Sequence, residues 1–473
     1  MYKVVIGLEV HCQLKTNSKN FSSAPNEYNE APNTMINQID LAFPGTLPVV
    51  NKKACELALK VALALNCTPP DVVLFDRKNY FYADLPGGFQ RTQAAKPFGI
   101  NGHLNIFVDD ELKRVDITQL HLEEDTASLD HFSDYSLIDY NRAGIPLIEI
   151  VSEPCLHSAA EAVKYLESLR NLILYCEASD ARSDLGQLRC DVNISLMKET
   201  DLEFGTKVEI KNINSFRYVK EAIEYEIKRQ SKLLDAGKEI VMETRRYDDH
   251  TGKTYSMREK VEAVDYKYFI EPNIPPIKLS QELIDDVKAS IPALPYERIC
   301  KYRDEFGLSL YDATILVKSK KIAEYFESIL EFSIKPKSAS NWMIVILGHL
   351  NKYEISIDDI FVRPNMLAEL IKITESGKIS NKQGKEILYQ ALNEQKEPAL
   401  IIKESNVEQI TDADALKPII LEVVEEHKHL IADYHKGKNV FDYFVGQVMK
   451  ITRGKANPVL VRDILKAELD KYK

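Results

Sequence analysis

Strict alternation of apolar and polar residues near the start of the chain limits its fold more than any other feature. From residue 7 to residue 14, apolar side chains alternate with those of Glu9, His11 and Gln13. Residues 188–196 alternate in the same way. Because successive side chains of a β-strand point to opposite faces, each segment predicts a strand with one apolar and one polar face. Such two-sided strands are typical of antiparallel sheets.

Other segments extend this mixed pattern of strands and helices. Helical spacing of apolar residues predicts helices over 51–66 and 158–176, and a long helix from the N-cap residues Asn214 and Ser215 to Gly237. Strands separated by irregular loops favour a largely antiparallel sheet over a repeated βαβ unit. Strands are predicted near 4–14, 104–108, 114–122, 145–151, 187–196 and 206–213.

Prolines mark the main change of character along the chain. They are densest at 271–276 and recur up to Pro295, after which the pattern predicts several short helices and almost no strand. The length of 473 residues suits about three domains. We therefore expect an α+β fold, with a mainly antiparallel-sheet domain and flanking helices over residues 1–294, followed by two all-α domains over 295–406 and 407–473.

Composition and charge are those of an ordinary globular enzyme. Hydrophobic residues make up 45% and charged residues 28%, and the net charge of −11 argues against indiscriminate nucleic-acid binding. No apolar run reaches the roughly 18 residues of a membrane span, and Glu9 and His11 come too early for a signal peptide. We expect a cytoplasmic protein with no membrane partner. Residues 434–473 carry nine Lys/Arg and four Asp/Glu, so this tail is a candidate nucleic-acid contact.

The cysteines give no sign of a metal or disulfide framework. The seven residues include no C-x-x-C pair, and their number is odd. We predict reduced, mostly buried thiols and no structural zinc.

Two acids and one histidine are the first candidates for chemistry. On a strand, Glu9 and His11 share a face at about 6.7 Å, which suits the ligands of one metal ion or of two neighbouring ions. A solvated sheet face explains this pair equally simply. Glu149 lies in the aliphatic run 146–151, where an unpaired carboxylate is costly to bury. We therefore expect a metal ion or an arginine as its partner.

Acidic and basic residues on neighbouring strands suit a magnesium-bound triphosphate. One polar face carries Arg189 and Asp191, and another carries Lys207, Glu209 and Lys211. Mg²⁺ prefers oxygen ligands, and phosphates attract lysine and arginine. The adjacent acids at 123–125 repel one another unless a cation or solvent neutralises them. A polar outer sheet face and a solvated turn are the alternatives.

Segments that suggest nucleotide binding are individually weak. Basic and aromatic residues interleave from Phe75 to Tyr82, which suits contact with a nucleotide or tRNA and equally a core strand. Gly252-Lys253-Thr254 resembles the end of a P-loop, but Tyr247 occupies the position of the first glycine. The sequence has no G-x-G-x-x-G fingerprint that opens a helix and no G-x-S-x-G elbow. Any ATP site must therefore have another design, and any glutamine hydrolysis must occur elsewhere.

Several long motifs follow one another in a recognisable order: VIGLEVH, IDLAFPGTLPVVN, FDRKNYFY, LHLEED, PLIEIVSEP, LRCDVNISL, KVEIKNINSF, ETRRYD, GQVMK and TRGKANP. Together they resemble the family of B subunits of the glutamyl/aspartyl-tRNA amidotransferase, GatB, over essentially the whole chain. The resemblance implies a cradle-like catalytic domain, then a helical domain and a helical tail domain that contacts tRNA.

The resemblance also implies a reaction. Members are ligases that work in a heterotrimer, in which the glutaminase (A) and small (C) subunits are their partners. They use ATP and Mg²⁺ to phosphorylate the side-chain carboxylate of Glu on tRNA(Gln) or of Asp on tRNA(Asn). Ammonia released by the glutaminase then displaces phosphate and leaves Gln-tRNA or Asn-tRNA.

Individual residues acquire expected roles from the resemblance. The expected metal ligands are His11, Glu124 and Glu149, with Glu9 and Asp191 as outer or second-site ligands, and Glu124 and Glu149 are also expected to be catalytic. Charge and spacing make Arg189, Lys207 and Lys211 the expected phosphate contacts. Lys78 and Tyr80 are expected on the ammonia path, and Lys450, Arg453, Lys455 and Asn457 are expected to contact tRNA.

The sequence departs from the family's pattern at two places. Leu85-Pro86 is followed by Gly87-Gly88 where many members have a lysine, which puts a gating role of that lysine in doubt. The loop over 17–40 lacks the cysteines that hold zinc in some members.

Three alternatives to this family are considered. One is an archaeal-type relative, for whose inserted domain the chain has no spare length. The others are a non-catalytic tRNA-binding scaffold with structural acids and a synthetase-like enzyme.

Overall fold

In the part of the chain that is described, eight strands form a sheet at the centre of the first of two units. The computed structural model describes residues 2–28, 30–213, 215–259, 265–405, 413–436, 439–452 and 455–472, and the two units are Met1–Arg298 and Ile299–Lys473. The strands are β1 (Tyr2–Gln13), β2 (Val72–Val73), β3 (Asp76–Asn79), β4 (Phe89–Thr92), β5 (Gly99–Val108), β6 (Glu111–Glu124), β7 (Ser128–His131), β8 (Ser136–Asp139), β9 (Pro146–Ser152), β10 (Leu188–Lys198), β11 (Val208–Ile213), β12 (Glu243–Asp248), β13 (Lys253–Glu259), β14 (Phe269–Ile270) and β15 (Ile277–Lys278). The helices of the first unit are α1 (Lys52–Ala64), α2 (Ala159–Tyr175), α3 (Phe216–Asp235) and α4 (Gln281–Ala289).

The first strand lies in the interior of the large sheet, whose order is β13-β12-β11-β10-β1-β9-β6-β5. It runs antiparallel to β10 on one side and to β9 on the other, and β9 in turn pairs with β6. Neighbouring strands of this sheet are antiparallel except β11 and β12, which are parallel. The prediction of an α+β fold with a largely antiparallel sheet is confirmed.

The apolar face of β1 belongs to the core of the first unit. Leu8, Val10 and Cys12 are fully buried among apolar side chains of α1, α2 and the neighbouring strands. The side chains of Asn51 and Ser158 cap the starts of α1 and α2 by accepting hydrogen bonds from backbone N–H groups. Because the helices pack on the apolar face, the polar residues of β1 lie on the other face.

The long helix α3 closely follows its prediction. It begins after Ser215, whose side chain makes no capping hydrogen bond, and Gly237 follows its end with a φ of +70°. Asn214 lies outside the described residues. Within α3 the fully buried Glu226 carboxylate accepts hydrogen bonds from Arg229 and from Thr254 of β13. These contacts fasten α3 to the edge of the sheet.

The described residues of the second unit form helices joined by turns and loops. The predicted boundary at 294/295 lies four residues before the division after Arg298, and the predicted boundary at 406/407 falls within residues 406–412, which are not described, so the division into three domains stays a prediction. In the described parts of the chain, no helix combines the length and the apolar character needed to cross a membrane. The remaining helices are α5 (Pro295–Asp304), which contains the division, α6 (Leu310–Leu316), α7 (Lys320–Leu330), α8 (Pro336–Tyr353), α9 (Pro364–Glu375), α10 (Asn381–Glu394), α11 (Pro398–Ser405), α12 (Ala413–Glu426), α13 (Ile431–His435), α14 (Phe441–Ile451) and α15 (Pro458–Leu469).

All seven cysteines are free thiols. Cys12, Cys67, Cys176 and Cys190 are buried, and the other three are partly buried. Burial raises the pKa of Cys12 to about 12, so this thiol is inert at neutral pH.

We predict that Gly102→Ala destabilises the first unit. A Cβ at residue 102 would meet Cys67 Sγ and would lie 2.7 Å from the backbone oxygen of Leu65, so β5 would have to shift. Overpacking of this kind costs about 1–3 kcal/mol, measurable by urea unfolding. Gly7→Ala is the control, because its Cβ would lie 3.6 Å from Pro154, an ordinary contact. Equal stability of the two variants would contradict the prediction.

Candidate functional site

The register of the central strands brings the polar residues of β1 into two clusters. His11 lies opposite Glu149 of β9, and Glu149 lies opposite His121 of β6. On the other side of β1, Glu9 lies opposite Asp191 of β10. Because cross-strand partners share a face, these side chains converge on the face that the core does not use.

The first cluster, the His11 centre, consists of His11, Glu123 and Glu149. The Nε2 atom of His11 lies 3.4 Å from Glu149 Oε2 and 3.9 Å from Glu123 Oε1. One possible ligand atom from each residue lies within 4.8 Å of the others, which is close enough to surround one metal ion. Glu123 is buried, and His11 and Glu149 are partly buried. The alternatives of a solvated sheet face for His11 and a solvated turn for Glu123 therefore do not describe these two residues.

Glu124, the expected metal ligand and catalytic acid, does not join the His11 centre. Its carboxylate accepts a hydrogen bond of 2.9 Å from the backbone N–H of Arg91 and bonds of 3.2 and 3.3 Å from the Arg91 guanidinium. Glu123 and Glu124 are consecutive in β6, so their side chains point to opposite faces. The residue that lies beside His11 and Glu149 is therefore Glu123, the neighbour of the expected Glu124.

His121 is a member of the site that the sequence analysis missed. Its Nε2 atom lies 3.1 Å from Glu149 Oε2 and 3.5 Å from Glu123 Oε2, and its side chain is buried. Glu149 thus has two histidine partners where a metal ion or an arginine was expected. The signal was present in the sequence, because His121 and Glu123 are two residues apart and therefore share a strand face.

Burial and charge oppose each other at the two histidines. Burial lowers the pKa of His121, but Glu149 and Glu123 outweigh it and raise the pKa to about 10. The same balance raises the pKa of His11 to about 8. The imidazoles hold the pKa of Glu149 well below its usual range in spite of burial. The His11 centre, with His121 beside it, is therefore a largely buried group in which the imidazoles and the carboxylates favour each other's charged forms.

The second cluster, the Glu9 centre, consists of Glu9, Asp191 and Glu209, whose ligand atoms also lie within 4.8 Å of one another. Lys211 Nζ lies 3.0 Å from Asp191 Oδ2 and 2.9 Å from Glu209 Oε1. Asn193 donates a hydrogen bond of 2.8 Å to Glu9 Oε1. Glu209 was not among the expected ligands. Its place follows from the pairing of β10 with β11.

The expected phosphate contacts differ in their surroundings. Lys211 lies inside the Glu9 centre, where Asp191 and Glu209 raise its pKa in spite of burial. Arg189 donates two hydrogen bonds, of 3.1 and 3.0 Å, to Asp125, so its guanidinium already has a carboxylate partner. Lys207 is exposed and immediately precedes β11. Lys211 is thus the best placed of the three beside a bound cation.

Lys78 and Tyr80, expected on the ammonia path, lie at and just beyond the end of β3. Burial lowers the pKa of Lys78, but the nearby Glu123, Tyr268 and Glu149 raise it overall. Lys78 therefore belongs to the surroundings of the His11 centre. Gly87 lies instead with Arg91 and Glu124 in the lining of a separate cavity.

The expected tRNA contacts in the tail are only partly described. Lys450 and Lys455 are exposed, and Arg453 lies outside the described residues. The side chain of Asn457 caps α15 by accepting hydrogen bonds from Val459 N and Leu460 N, and it donates to Gly377 O at 3.3 Å. Asn457 is therefore engaged within the protein, which leaves the two lysines as the better candidates for a nucleic-acid contact.

The two clusters define the class of the site. Each offers at least two carboxylates on buried or partly buried side chains, and carboxylate oxygens are the ligands that hard divalent cations prefer. The Glu9 centre offers oxygen ligands only, as Mg²⁺ prefers, and the His11 centre adds an imidazole. The site is thus of the kind that can hold two neighbouring divalent cations.

Comparison with known proteins identifies the family of the chain. Residues 4–285 match the GatB/GatE catalytic domain, and residues 324–469 match the GatB domain. The B subunit of the aspartyl/glutamyl-tRNA(Asn/Gln) amidotransferase of Persephonella marina is 48% identical, with 98% of each chain covered. The proteins of the same name from Brevibacillus brevis and Oceanobacillus iheyensis are 45% and 46% identical, with 99% of each chain covered. The chain belongs to the family of aspartyl/glutamyl-tRNA(Asn/Gln) amidotransferase B subunits.

We predict that the coupling between His121 and Glu149 depends on pH in the protein kept free of metal by EDTA. The pKa of His121 is about 10 in the folded protein against roughly 6.5 when unfolded. Its contribution to stability is therefore complete below pH ~6.5 and is lost as the pH rises through 10. Glu149, with its lowered pKa, contributes above its unfolded pKa of roughly 4.3 and loses this contribution as the pH falls.

A double-mutant cycle of His121→Gln and Glu149→Gln, followed by urea unfolding, measures this coupling. We expect a larger coupling free energy at about pH 6 than at about pH 9.5. The exposed pair Lys15–Asp180 supplies the control cycle. The same coupling at both pH values would contradict the assignment of His121 as the charged partner of Glu149.

Proposed function

We propose that this chain is the B subunit of a tRNA-dependent amidotransferase, in which it activates the side-chain carboxylate of Glu on tRNA(Gln) or of Asp on tRNA(Asn). The observation that carries this proposal is the pair of neighbouring carboxylate clusters, the His11 centre and the Glu9 centre, in a chain nearly half identical to such subunits along its length. Its partners would be the glutaminase (A) and small (C) subunits of a heterotrimer. The reaction would take place in the cytoplasm, where aminoacylated tRNA is used.

The proposed chemistry follows from the leaving group. A carboxylate is a poor acyl donor because it would have to expel oxide. Transfer of the γ-phosphoryl group of ATP to the carboxylate oxygen gives an acyl phosphate and ADP. Ammonia attacks the acyl carbon, and the bond from that carbon to the phosphate oxygen breaks. The amide stays on the tRNA, and inorganic phosphate and a proton are released.

The residues of the two clusters have distinct tasks in this scheme. His11, Glu123 and Glu149 would hold one divalent cation, and Glu9, Asp191 and Glu209 a second. When bound, Mg²⁺ supplies positive charge that stabilises the transferring phosphoryl group. Lys211, which bridges Asp191 and Glu209, would turn its amine to phosphate oxygens. His121 would keep Glu149 ionised and correctly oriented.

We predict that Glu123→Gln and Glu124→Gln separate the two neighbouring acids. Glu123→Gln removes a ligand of the His11 centre, so we expect Mn²⁺ affinity, measured by electron paramagnetic resonance, to fall by at least about tenfold. Glu124→Gln changes a carboxylate held by Arg91 on the opposite face, so Mn²⁺ affinity should stay as in the wild type. The reverse result would restore Glu124 as the ligand.

The function itself is tested with the complete heterotrimer. ATP, Mg²⁺, glutamine and Glu-tRNA(Gln) or Asp-tRNA(Asn) should give phosphate release that depends on the misacylated tRNA, together with amidated tRNA. We expect Glu149→Gln to lower the rate by on the order of 100-fold. Full activity of this variant would favour a scaffold with structural acids. Exchange of pyrophosphate into ATP with a free amino acid would favour a synthetase-like enzyme instead.

We predict that Lys450→Glu combined with Lys455→Glu weakens tRNA binding and leaves ATP binding unchanged. Both lysines are exposed in the tail. Loss of two phosphate contacts should reduce the magnitude of the slope of log K against log salt concentration by about two, where K is the association constant for tRNA. The control is Lys382→Glu with Lys385→Glu, the same charge change at exposed positions of α10. Equal tRNA affinity of the two double variants would remove the tail from the contact surface.

A further inference from the structure

Three tyrosines form an open aromatic cluster beside the end of β3. The ring centroids of Tyr80 and Tyr266 are 5.9 Å apart with an interplanar angle of 70°, and those of Tyr266 and Tyr268 are 6.1 Å apart at 75°. Tyr268 is 47% exposed, and the other two rings are partly exposed. None of the three belongs to the hydrophobic core of the first unit. Packing of the core therefore does not explain them.

Backbone hydrogen bonds hold this cluster in place. Asn79 N donates to Tyr266 O at 3.0 Å, and Asn79 Nδ2 donates to Lys267 O at 2.7 Å. The next residues form β14, in which Phe269 pairs with Arg77 of β3. The backbone that carries Tyr266 and Tyr268 is thus held against β3, which keeps the two rings beside Tyr80.

The cluster borders the proposed reaction site. Lys78 Nζ lies 4.9 Å from the centroid of the Tyr266 ring and 5.9 Å from that of Tyr80. The same amine interacts electrostatically with Glu123 and Glu149 of the His11 centre. A ligand that lies on the tyrosines therefore places its neighbouring groups near the cation ligands.

We propose that Tyr80, Tyr266 and Tyr268 bind an adenine base by stacking, next to the His11 centre. Aromatic faces held rigidly beside a cation suit a flat base attached to phosphates. Two substrates of the proposed function, on which this inference rests, carry that base: ATP, and the tRNA through its 3′-terminal adenosine. Tyr80, which was expected on the ammonia path, is thus assigned to the binding of the base.

The test is equilibrium binding of Mg²⁺-ATP and, separately, of Glu-tRNA(Gln) to the complex with Tyr266→Ala. Tyr266 contacts both other rings, so its loss should raise one of the two Kd values by on the order of tenfold. Tyr266→Phe keeps the ring and should bind as the wild type. Phe81→Ala, next to Tyr80 and 96% exposed, is the matched control for removal of an aromatic side chain. Tyr268→Ala is the second variant if Tyr266→Ala fails to fold.

The outcomes separate the two sources of the base. A rise in Kd for Glu-tRNA alone assigns the cluster to the terminal adenosine, and a rise for ATP alone assigns it to the nucleotide. Unchanged Kd values for both ligands would overturn the inference, as would an equal loss in Tyr266→Phe. Amidation by the wild-type complex is measured in parallel. Its absence would refute the proposed function, and the Kd values would still show whether the tyrosines bind the base.

Discussion

The interaction on which the site depends is the contact of Glu149 with two imidazoles across three strands. Its carboxylate lies 3.4 Å from His11 and 3.1 Å from His121, in a partly buried position. A carboxylate in such a place is costly unless opposite charge accompanies it. The protonated histidines supply that charge, and a divalent cation that replaced the proton of His11 would find one nitrogen atom beside the oxygen atoms of Glu123 and Glu149.

In the Glu9 centre, a lysine supplies the positive charge that accompanies the carboxylates. Glu9, Asp191 and Glu209 would repel one another on adjoining strands, and Lys211 lies between two of them. A cation bound by these carboxylates would take over the neutralising role of Lys211 and leave its amine available to phosphate. The two centres share strand β1, which contributes one ligand to each.

The apolar face of the same strand explains why these ligands keep their positions. Leu8, Val10 and Cys12 are fully buried against the helices, so a shift of β1 by one residue would bury Glu9 and His11 and expose the core. The packing that stabilises the first unit and the geometry of the site are therefore consequences of one register. Loss of that register would remove both clusters together.

The alternation within β1 and β10 was by itself enough to predict two-sided strands of a largely antiparallel sheet, with Glu9 and His11 on one polar face, because the period of a strand is local. It could not distinguish Glu123 from Glu124, since consecutive acids at a strand end carry no mark of which one faces the neighbouring strand. The pairing of β6 with β9 decided that. The same pairing revealed His121, and the pairing of β10 with β11 brought in Glu209. Contacts between strands far apart in sequence depend on register, which only the tertiary structure sets.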